Sequence, residues 1–128
     1  MSLNVVTIMG RMVRDPETRY TQQQKPVTTF TLACERDYAP QGQERQTDFI
    51  DFCCFDKVSD FVSKYFRKGS LAIVTGRLQI RDWTDREGNK RRSAEVIVDH
   101  AYFGEAKKKT ADVSAADWKE ADDGELPF

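Results

Sequence analysis

Two segments that have the pattern of β-strands each carry aromatic residues on one face, and in one of them arginines share that face. Side chains two positions apart share one face of a strand, so Arg77, Arg81 and Trp83 lie on one face of the segment that contains them. Phe49 and Phe55 likewise share one face of an earlier segment. An exposed aromatic ring can stack on any nucleobase, and cations attract phosphates. The pattern is typical of a surface that holds single-stranded nucleic acid without reading its sequence.

The same residues also admit a structural interpretation. Phe49 and Phe55 could instead fill the core or a subunit interface, since apolar residues at alternate positions of a strand often do. Trp83 stands between the polar residues Asp82 and Thr84 at a strand end, which favours an exposed position. Single arginines are usually solvated surface residues. The two interpretations differ in whether the aromatic rings are exposed.

Other residues that could do chemistry do not converge. Cys53 and Cys54 are adjacent in one predicted strand and point to opposite faces, which is unsuited to a shared metal ion. His100 is the single histidine, and no Ser or Cys arrangement accompanies it. Asp48 and Asp51 lie on opposite faces of one strand, so they do not pair as ligands for Mg²⁺. We therefore expect no catalytic residue, no metal site and no cofactor.

Five segments have the alternation or the β-branched content of strands. They span residues 3–13, 27–38, 47–55, 71–83 and 91–103. The last two are joined by a polar hairpin loop, 85–90, in which Gly88 permits a positive φ. Gly10 and Gly76 lie inside strand patterns, where a barrel commonly bends or bulges.

The segment between the third and fourth strands has a helical period instead. Asp56 is predicted to cap this helix and Gly69 to end it. Its apolar face consists of Val58, Phe61, Val62, Tyr65 and Phe66. Three strands, one helix and two strands is the element order of the OB-fold. The predicted fold class is therefore all-β, a five-stranded OB-fold Greek-key barrel with one short α-helix between strands 3 and 4.

Charge is unevenly distributed along the chain. The formal net charge of -1 over 128 residues argues at first against an anionic partner. Residues 1–109, however, hold 19 basic and 15 acidic residues, a net charge of +4. Residues 110–128 hold one Lys and six acidic residues, a net charge of -5. The body of the chain is therefore cationic, and nucleic acid is not excluded as a partner.

The composition changes together with the charge. Residues 110–128 are poor in branched aliphatic residues, which predicts a disordered acidic tail. Its last residues include Leu126 and Phe128, which solubility alone does not require. We predict an OB-fold domain of residues 1–105, a short flexible linker of 106–121 and an acidic interaction tip of 122–128.

Composition also bears on the compartment. No run approaches the ~18 apolar residues of a membrane span, so no membrane partner is expected. Residues 1–4 do not begin the basic and apolar regions of a signal peptide. Three cysteines without a CxxC spacing indicate a reducing compartment and no disulfide framework. We therefore expect a cytoplasmic protein.

Several stretches of the body match a known family. They are GRMVRDPETRY (10–20), FTLA (30–33), TDFI (47–50), KGS (68–70), GRLQ (76–79) and WTDREG (83–88). The chain also ends in DDGELPF (122–128), an acidic run followed by Pro-Phe. On these stretches the chain resembles the single-stranded DNA-binding proteins (SSB) of bacteria and bacteriophages, over nearly the whole body.

The resemblance implies sequence-independent binding of single-stranded DNA by a nucleoid-associated homotetramer. It also implies that the acidic tip recruits replication, recombination and repair proteins. The implied stacking residues are Tyr38, Phe49, Phe55 and Trp83, and the implied phosphate-binding residues are Arg11, Lys57, Lys68, Arg77 and Arg81. The implied partner-binding residues are Asp122, Asp123, Glu125, Leu126, Pro127 and Phe128.

Some positions depart from the family pattern. Tyr38, Phe49 and Phe55 stand where many members have Trp, which should weaken each stack. Asp51 places a carboxylate on the predicted DNA face, where it repels phosphate. Gly124 interrupts the acidic run of the tip.

Two alternatives belong to other functional classes. An RNA-binding OB module of the cold-shock type would need compact aromatic strand motifs that this sequence lacks. An OB barrel that only recruits other proteins would leave the outward aromatic residues without a role. An enzyme is the weakest alternative, because no catalytic constellation is present.

Overall fold

The computed structural model describes residues 1–105, which form six strands and one helix. In chain order the elements are β1 (Val6–Met12), β2 (Glu17–Tyr20), β3 (Pro26–Glu35), β4 (Thr47–Phe55), α1 (Asp56–Tyr65), β5 (Leu71–Thr84) and β6 (Lys90–Phe103). The predicted all-β OB-fold class is confirmed, and the helix lies between the third and fourth predicted strands. The predicted linker, tip and acidic tail lie outside the described residues.

The strands close into a barrel because β1 pairs with two neighbours. The sheet has the order β1-β5-β6-β4-β3-β2, and β1 also pairs with β3 at Arg11 opposite Ala33. The β4–β6 pair is parallel, with Cys53 opposite Ile97, whereas the other described pairs are antiparallel. Closure turns one face of every barrel strand inward.

The inward faces form the core that the alternating pattern predicts. Phe30 of β3 and Phe52 of β4 are buried, and their rings stack with centroids 5.0 Å apart. Fully buried side chains from β3 to β6, the helix and the residue after it belong to the same core cluster: Leu32, Cys54, Val62, Phe66, Val74 and Val96. Burying each large apolar side chain contributes about 1.5–3 kcal/mol. The opposite faces of the same strands are thereby left for the outside of the barrel.

The helix α1 packs its apolar side on the barrel. Val62 is buried, and Phe66, which follows the helix, stacks on Phe103 of β6 with a centroid distance of 4.7 Å. Ser59 of α1 is fully buried too, and its hydroxyl hydrogen-bonds that of Thr28 in β3. The apolar period predicted for this segment therefore marks the packed side of a helix.

The predicted capping role of Asp56 is wrong. The residue that precedes the first helical turn is Phe55, and no side chain caps the helix. Asp56 is itself the first helical residue, with a φ of +54°. Because β4 runs directly into α1, the chain turns within one residue and leaves no separate capping position.

A short strand, β2, was not predicted from the sequence. Its four residues show no apolar alternation and form a hairpin with β3, with Glu17 opposite Thr29. The hydroxyl of Thr18 hydrogen-bonds that of Thr28 at 2.8 Å. This strand forms because β3 has a free edge with which it can pair. Its formation therefore depends on the tertiary structure and not on a pattern within its own four residues.

The β5–β6 hairpin extends beyond the barrel. Leu78 and Ile80 alternate in phase with the buried residues Ala72 and Val74, which is the pattern of core residues, but they are 42% and 49% exposed. They are exposed because no other element covers the outer half of the hairpin within residues 1–105. Beyond Arg77, both faces of this hairpin are largely open to solvent.

The register within this hairpin shifts once. Thr75 lies opposite His100 and Gly76 opposite Val98, so β6 carries one extra residue, Asp99, at this point. The irregularity falls at Gly76, one of the two glycines where a bulge or bend was expected. Such a bulge bends the paired strands locally, and the outer part of the hairpin starts from it.

Two further features of the described region concern membranes and cysteines. No helix within residues 1–105 has the length and apolar character needed to cross a lipid bilayer.

Cys34, Cys53 and Cys54 are all free thiols, and the last two are buried.

Candidate nucleic-acid interface

The outward face of β4 exposes two phenylalanines. Phe49 is 67% and Phe55 45% exposed, whereas the alternate residues Phe52 and Cys54 are fully buried. The alternative in which these two rings fill the core does not hold for this chain. The two residues are six positions apart, which corresponds to about 20 Å along a strand. β4 thus carries two separate aromatic platforms on one face.

The register places residues of four strands on the same outward face. Cys53 of β4 lies between Thr29 of β3 and Ile97 of β6, and Ile97 is paired with Arg77 of β5. Directly paired residues point to the same side of a sheet. Arg77 and Arg81 therefore share a face with Phe49 and Phe55, as the alternation within each strand predicts once the strand order is known.

Trp83 extends this face along the projecting hairpin. It is 45% exposed, lies opposite Arg91, and donates a hydrogen bond from Nε1 to Ser93 Oγ at 2.7 Å. The hydrogen bond orients the indole ring and leaves part of its surface accessible. Arg91 and Ser93 were not singled out from the sequence. The predicted loop of residues 85–90 would pair position 83 with position 92. The loop is one residue shorter, because Thr84 pairs with Lys90, and Trp83 therefore lies opposite Arg91.

The tip of the hairpin is held by one carboxylate. Asp85 Oδ1 accepts hydrogen bonds from the backbone N–H groups of Glu87 and Asn89, and Oδ2 accepts one from Arg91 Nε at 3.0 Å. The bond from Asn89 is the largest of the causes that lower the pKa of Asp85 below its ordinary value, followed by the bond from Arg91. Asp85 thus stays ionised and fixes the strand end that carries Trp83.

The remaining predicted stacking residue, Tyr38, lies elsewhere. It is in the loop between β3 and β4, three residues beyond the end of β3, and is 79% exposed. The sequence pattern placed it at the end of a strand, but β3 ends at Glu35. No strand pairing fixes its position relative to Phe49, so the structure does not join it to the outward face.

Two of the predicted phosphate-binding residues, Lys57 and Lys68, do not lie on the strands that carry the outward rings. Lys57 is in α1 and borders an apolar groove with Phe61 and His100. Lys68 is exposed in the loop before β5, where its backbone N–H donates to Asp15 Oδ1 at 2.8 Å. The register groups Arg77 and Arg81 with the aromatic face. It also places Arg11 there, because Arg11 lies opposite Ala33 of β3 and Ala33 lies opposite Phe49.

Arg11 is engaged by an acidic residue. Its guanidinium donates to Glu105 Oε1 at 2.8 Å and to the carbonyl oxygen of Gly69 at 3.0 Å. The hydrogen bond from Arg11 to Glu105 is the main cause that raises the pKa of Arg11. A phosphate would have to compete with Glu105 for this side chain. The pair joins residues 94 positions apart, which local sequence patterns do not reveal.

The centre of the outward face carries negative charge. On the outward face of β4, Asp51 lies between Phe49 and Cys53, and its Oδ1 accepts a hydrogen bond from Thr31 Oγ1 at 2.7 Å. Glu95 of β6 points to the same side, and Glu95 and Asp51 border one surface cleft. Asp51 was expected on this face, whereas Glu95 was not. The face therefore combines a basic side on β5 with a carboxylate-lined centre.

The cysteines near the face are not activated nucleophiles. Cys53 points outward but is 9% exposed, and burial is the main cause that raises its pKa. Burial also raises the pKa of Cys54 to about 12. Both thiols are protonated at neutral pH and act as small apolar groups. Within residues 1–105, no group of three or more His, Cys, Asp or Glu side chains is arranged to hold a metal ion.

Comparison with known proteins gives one consistent result. The profile of the Single-strand binding protein family matches residues 3–104. A single-stranded DNA-binding protein of Caldanaerobacter subterraneus subsp. tengcongensis is 44% identical over 105 residues, which are 82% of this chain and 70% of that protein. Single-stranded DNA-binding protein 1 of Staphylococcus aureus is 45% identical, over 82% of this chain and 67% of its own length.

A third relative aligns over nearly the whole chain. Single-stranded DNA-binding protein 2 of Staphylococcus aureus (strain COL) is 37% identical over 126 residues. These residues are 98% of this chain and 91% of that protein. The similarity therefore continues beyond the barrel into residues 106–128.

Proposed function

Because the chain belongs to the Single-strand binding protein family, we propose that it binds single-stranded DNA without requiring a particular sequence. The observation that supports this proposal is the single outward face on which Phe49, Phe55 and Trp83 are exposed together with Arg77 and Arg81. We propose that the protein acts by stoichiometric binding in the cytoplasm, protecting the nucleoid's single strands without catalysing a reaction.

The geometry suggests how one strand would lie on this face. Aromatic rings at the two ends of β4 and on the hairpin would each stack one base, contributing about 1–3 kcal/mol per base. Arg77 and Arg81 follow β5 beside these rings, where they would neutralise phosphates. Because stacking uses the face of the base and not its edge, this mode of binding tolerates any sequence.

The proposal predicts tight, salt-dependent binding of oligo(dT). Affinity should fall as salt rises, with a log–log slope of about -0.7 for each phosphate neutralised, because counterions are released from the strand. Fluorescence anisotropy of a labelled oligo(dT) at several salt concentrations measures this slope. A duplex of the same length is the control, and it should bind much more weakly.

Other results would favour the alternatives. Tighter binding of oligo(U) than of oligo(dT) would indicate an RNA-binding module. No binding of either strand would leave a barrel that only recruits proteins. A slope near zero would reject the role of the cationic side chains.

We also propose that the protein forms a homo-oligomer, specifically a homotetramer. Several apolar residues near the first strand are exposed in the single chain, namely Leu3, Val5 and Met9. Residues Val6 to Gly10 of β1 pair with β5 on one side, and β3 pairs with β1 only at Arg11 and Met12, so part of one edge is open within residues 1–105. An open edge beside exposed apolar residues is suited to a second copy. Light scattering of the free protein and of its complexes with dT oligomers tests the stoichiometry.

We propose that the acidic tip, residues 122–128, recruits replication, recombination and repair proteins. Leu126 and Phe128 would enter an apolar pocket on the partner while the carboxylates meet basic residues at its rim. Deleting residues 126–128 should abolish pull-down of purified partner proteins and leave oligo(dT) affinity within about twofold. Deletion of three linker residues, 112–114, is the matched control and should preserve both properties. Undiminished partner recovery by the truncated protein would remove the docking role from the tip.

A further inference from the structure

Two carboxylates occupy the middle of the proposed DNA face. Asp51 follows Phe49 by two positions on β4, and Glu95 lies beside it on β6, so both point to the side that carries the exposed rings. Together with Thr29 and Thr31 they border a cleft of about 260 Å³. A strand stacked on Phe49 would therefore pass directly over this cleft.

The orientation of Asp51 is fixed before any ligand binds. Thr31 is 6% exposed, its hydroxyl accepts a hydrogen bond from Arg14 Nη2 at 3.3 Å, and it donates its own proton to Asp51 Oδ1 at 2.7 Å. Among the described residues, no donor bonds the second oxygen, Oδ2. Asp51 thus presents a preorganised acceptor on an exposed surface.

The charge of the cleft determines which part of a strand it can hold. Arg14, Asp15 and Glu17 line the cleft as well, so its four carboxylates outnumber its one guanidinium. Phosphates are therefore repelled from the cleft and attracted by Arg77 and Arg81 on β5. The backbone is therefore favoured along β5, and the edges of the bases are directed toward the carboxylates. Carboxylates only accept hydrogen bonds, so they favour the amino group of cytosine or adenine over the O4 oxygen of thymine or uracil.

From this geometry we propose that Asp51 is a specificity-determining residue, giving an otherwise sequence-tolerant surface a preference for bases that carry an exocyclic amino group. Glu95 supports the same preference from the neighbouring strand, and Thr31 is the positioning residue that aims Asp51. The proposal rests on the proposed function and deepens it, since it concerns the same face.

The sharpest comparison uses oligo(dC) and oligo(dU) of equal length. Their bases differ at position 4, where cytosine has an amino group and uracil an oxygen. At mildly alkaline pH, where cytosine is unprotonated, the protein should bind oligo(dC) about three- to tenfold more tightly than oligo(dU). Asp51→Asn should reduce this ratio to about one, because an amide both donates and accepts.

Matched variants separate the carboxylate's position from its charge. Asp60→Asn removes the same charge from the exposed surface of α1. It should keep the wild-type ratio of oligo(dC) to oligo(dU) affinity, because any change in affinity should be equal for the two strands. Thr31→Val should lower the ratio without changing the net charge. Circular dichroism checks that each variant is folded.

Different results would contradict this proposal and the proposed function. Equal affinity of the wild-type protein for oligo(dC) and oligo(dU) would overturn the proposal, and so would a preference that survives Asp51→Asn. Neither result would affect the proposed function, since both strands would still bind. Failure to bind both strands would instead contradict the proposed function itself.

Discussion

Replacing Phe55 and Trp83 together by alanine is expected to weaken binding of oligo(dT) by at least about tenfold, because each aromatic–base stack contributes about 1–3 kcal/mol. Both rings are 45% exposed, so their removal takes little apolar surface from the core. The loss should therefore appear in affinity and not in the stability of the barrel. Anisotropy of a labelled oligo(dT) at fixed salt measures the change.

Tyr20→Ala provides the matched control for this double variant. Tyr20 is also an exposed aromatic residue, but it lies on the edge strand β2, on the alternate face from Glu17 and Arg19. It should leave affinity unchanged. If Phe55→Ala with Trp83→Ala binds as tightly as wild type while remaining folded, the outward face of β4 and the hairpin is not where DNA lies.

Much of the barrel could be predicted because the relevant signals are local. The bounds of β4, Thr47–Phe55, agree with the predicted segment at both ends. The alternation of buried Phe52 and Cys54 with exposed residues defines its inward face. Where a strand has one covered and one exposed side, period two is sufficient to assign both.

The errors arose where tertiary contacts decide the outcome. Leu78 and Ile80 have the pattern of core residues, but the hairpin that carries them runs past the barrel. The strand β2 has no apolar alternation and depends on the free edge of β3. Neither the length of a hairpin relative to its barrel nor the presence of a free edge is encoded within the segment itself.

In the candidate site, too, local patterns predict part of the arrangement and tertiary contacts decide the rest. Period two placed Phe49 with Phe55 and Arg77 with Trp83, but joining the two sets required the β4–β6 and β5–β6 registers. The ion pair of Arg11 with Glu105 connects distant parts of the chain and could not be inferred from spacing. Functional faces that span several strands become visible only when the strand order is known.

The shape of this face depends on one glycine, and Gly76→Ala is expected to lower the free energy of unfolding by about 3 kcal/mol or more. An added Cβ would overlap the carbonyl oxygen of Ile97 and lie 2.9 Å from its carbonyl carbon. These are backbone atoms at the register shift of the β5–β6 pair, so no side-chain rotation can relieve the contact. The strands must separate or slide.

Such a movement should also reduce DNA affinity, because the hairpin beyond Gly76 carries Arg77, Arg81 and Trp83. Urea unfolding at a fixed protein concentration and oligo(dT) anisotropy measure the two effects. Gly42→Ala is the control: its φ of +82° strains an alanine, but no atom lies within 4 Å of the added Cβ. It should cost about 1 kcal/mol and leave affinity intact. A Gly76→Ala variant no less stable than Gly42→Ala would mean that the close approach to Ile97 does not hold the hairpin in place.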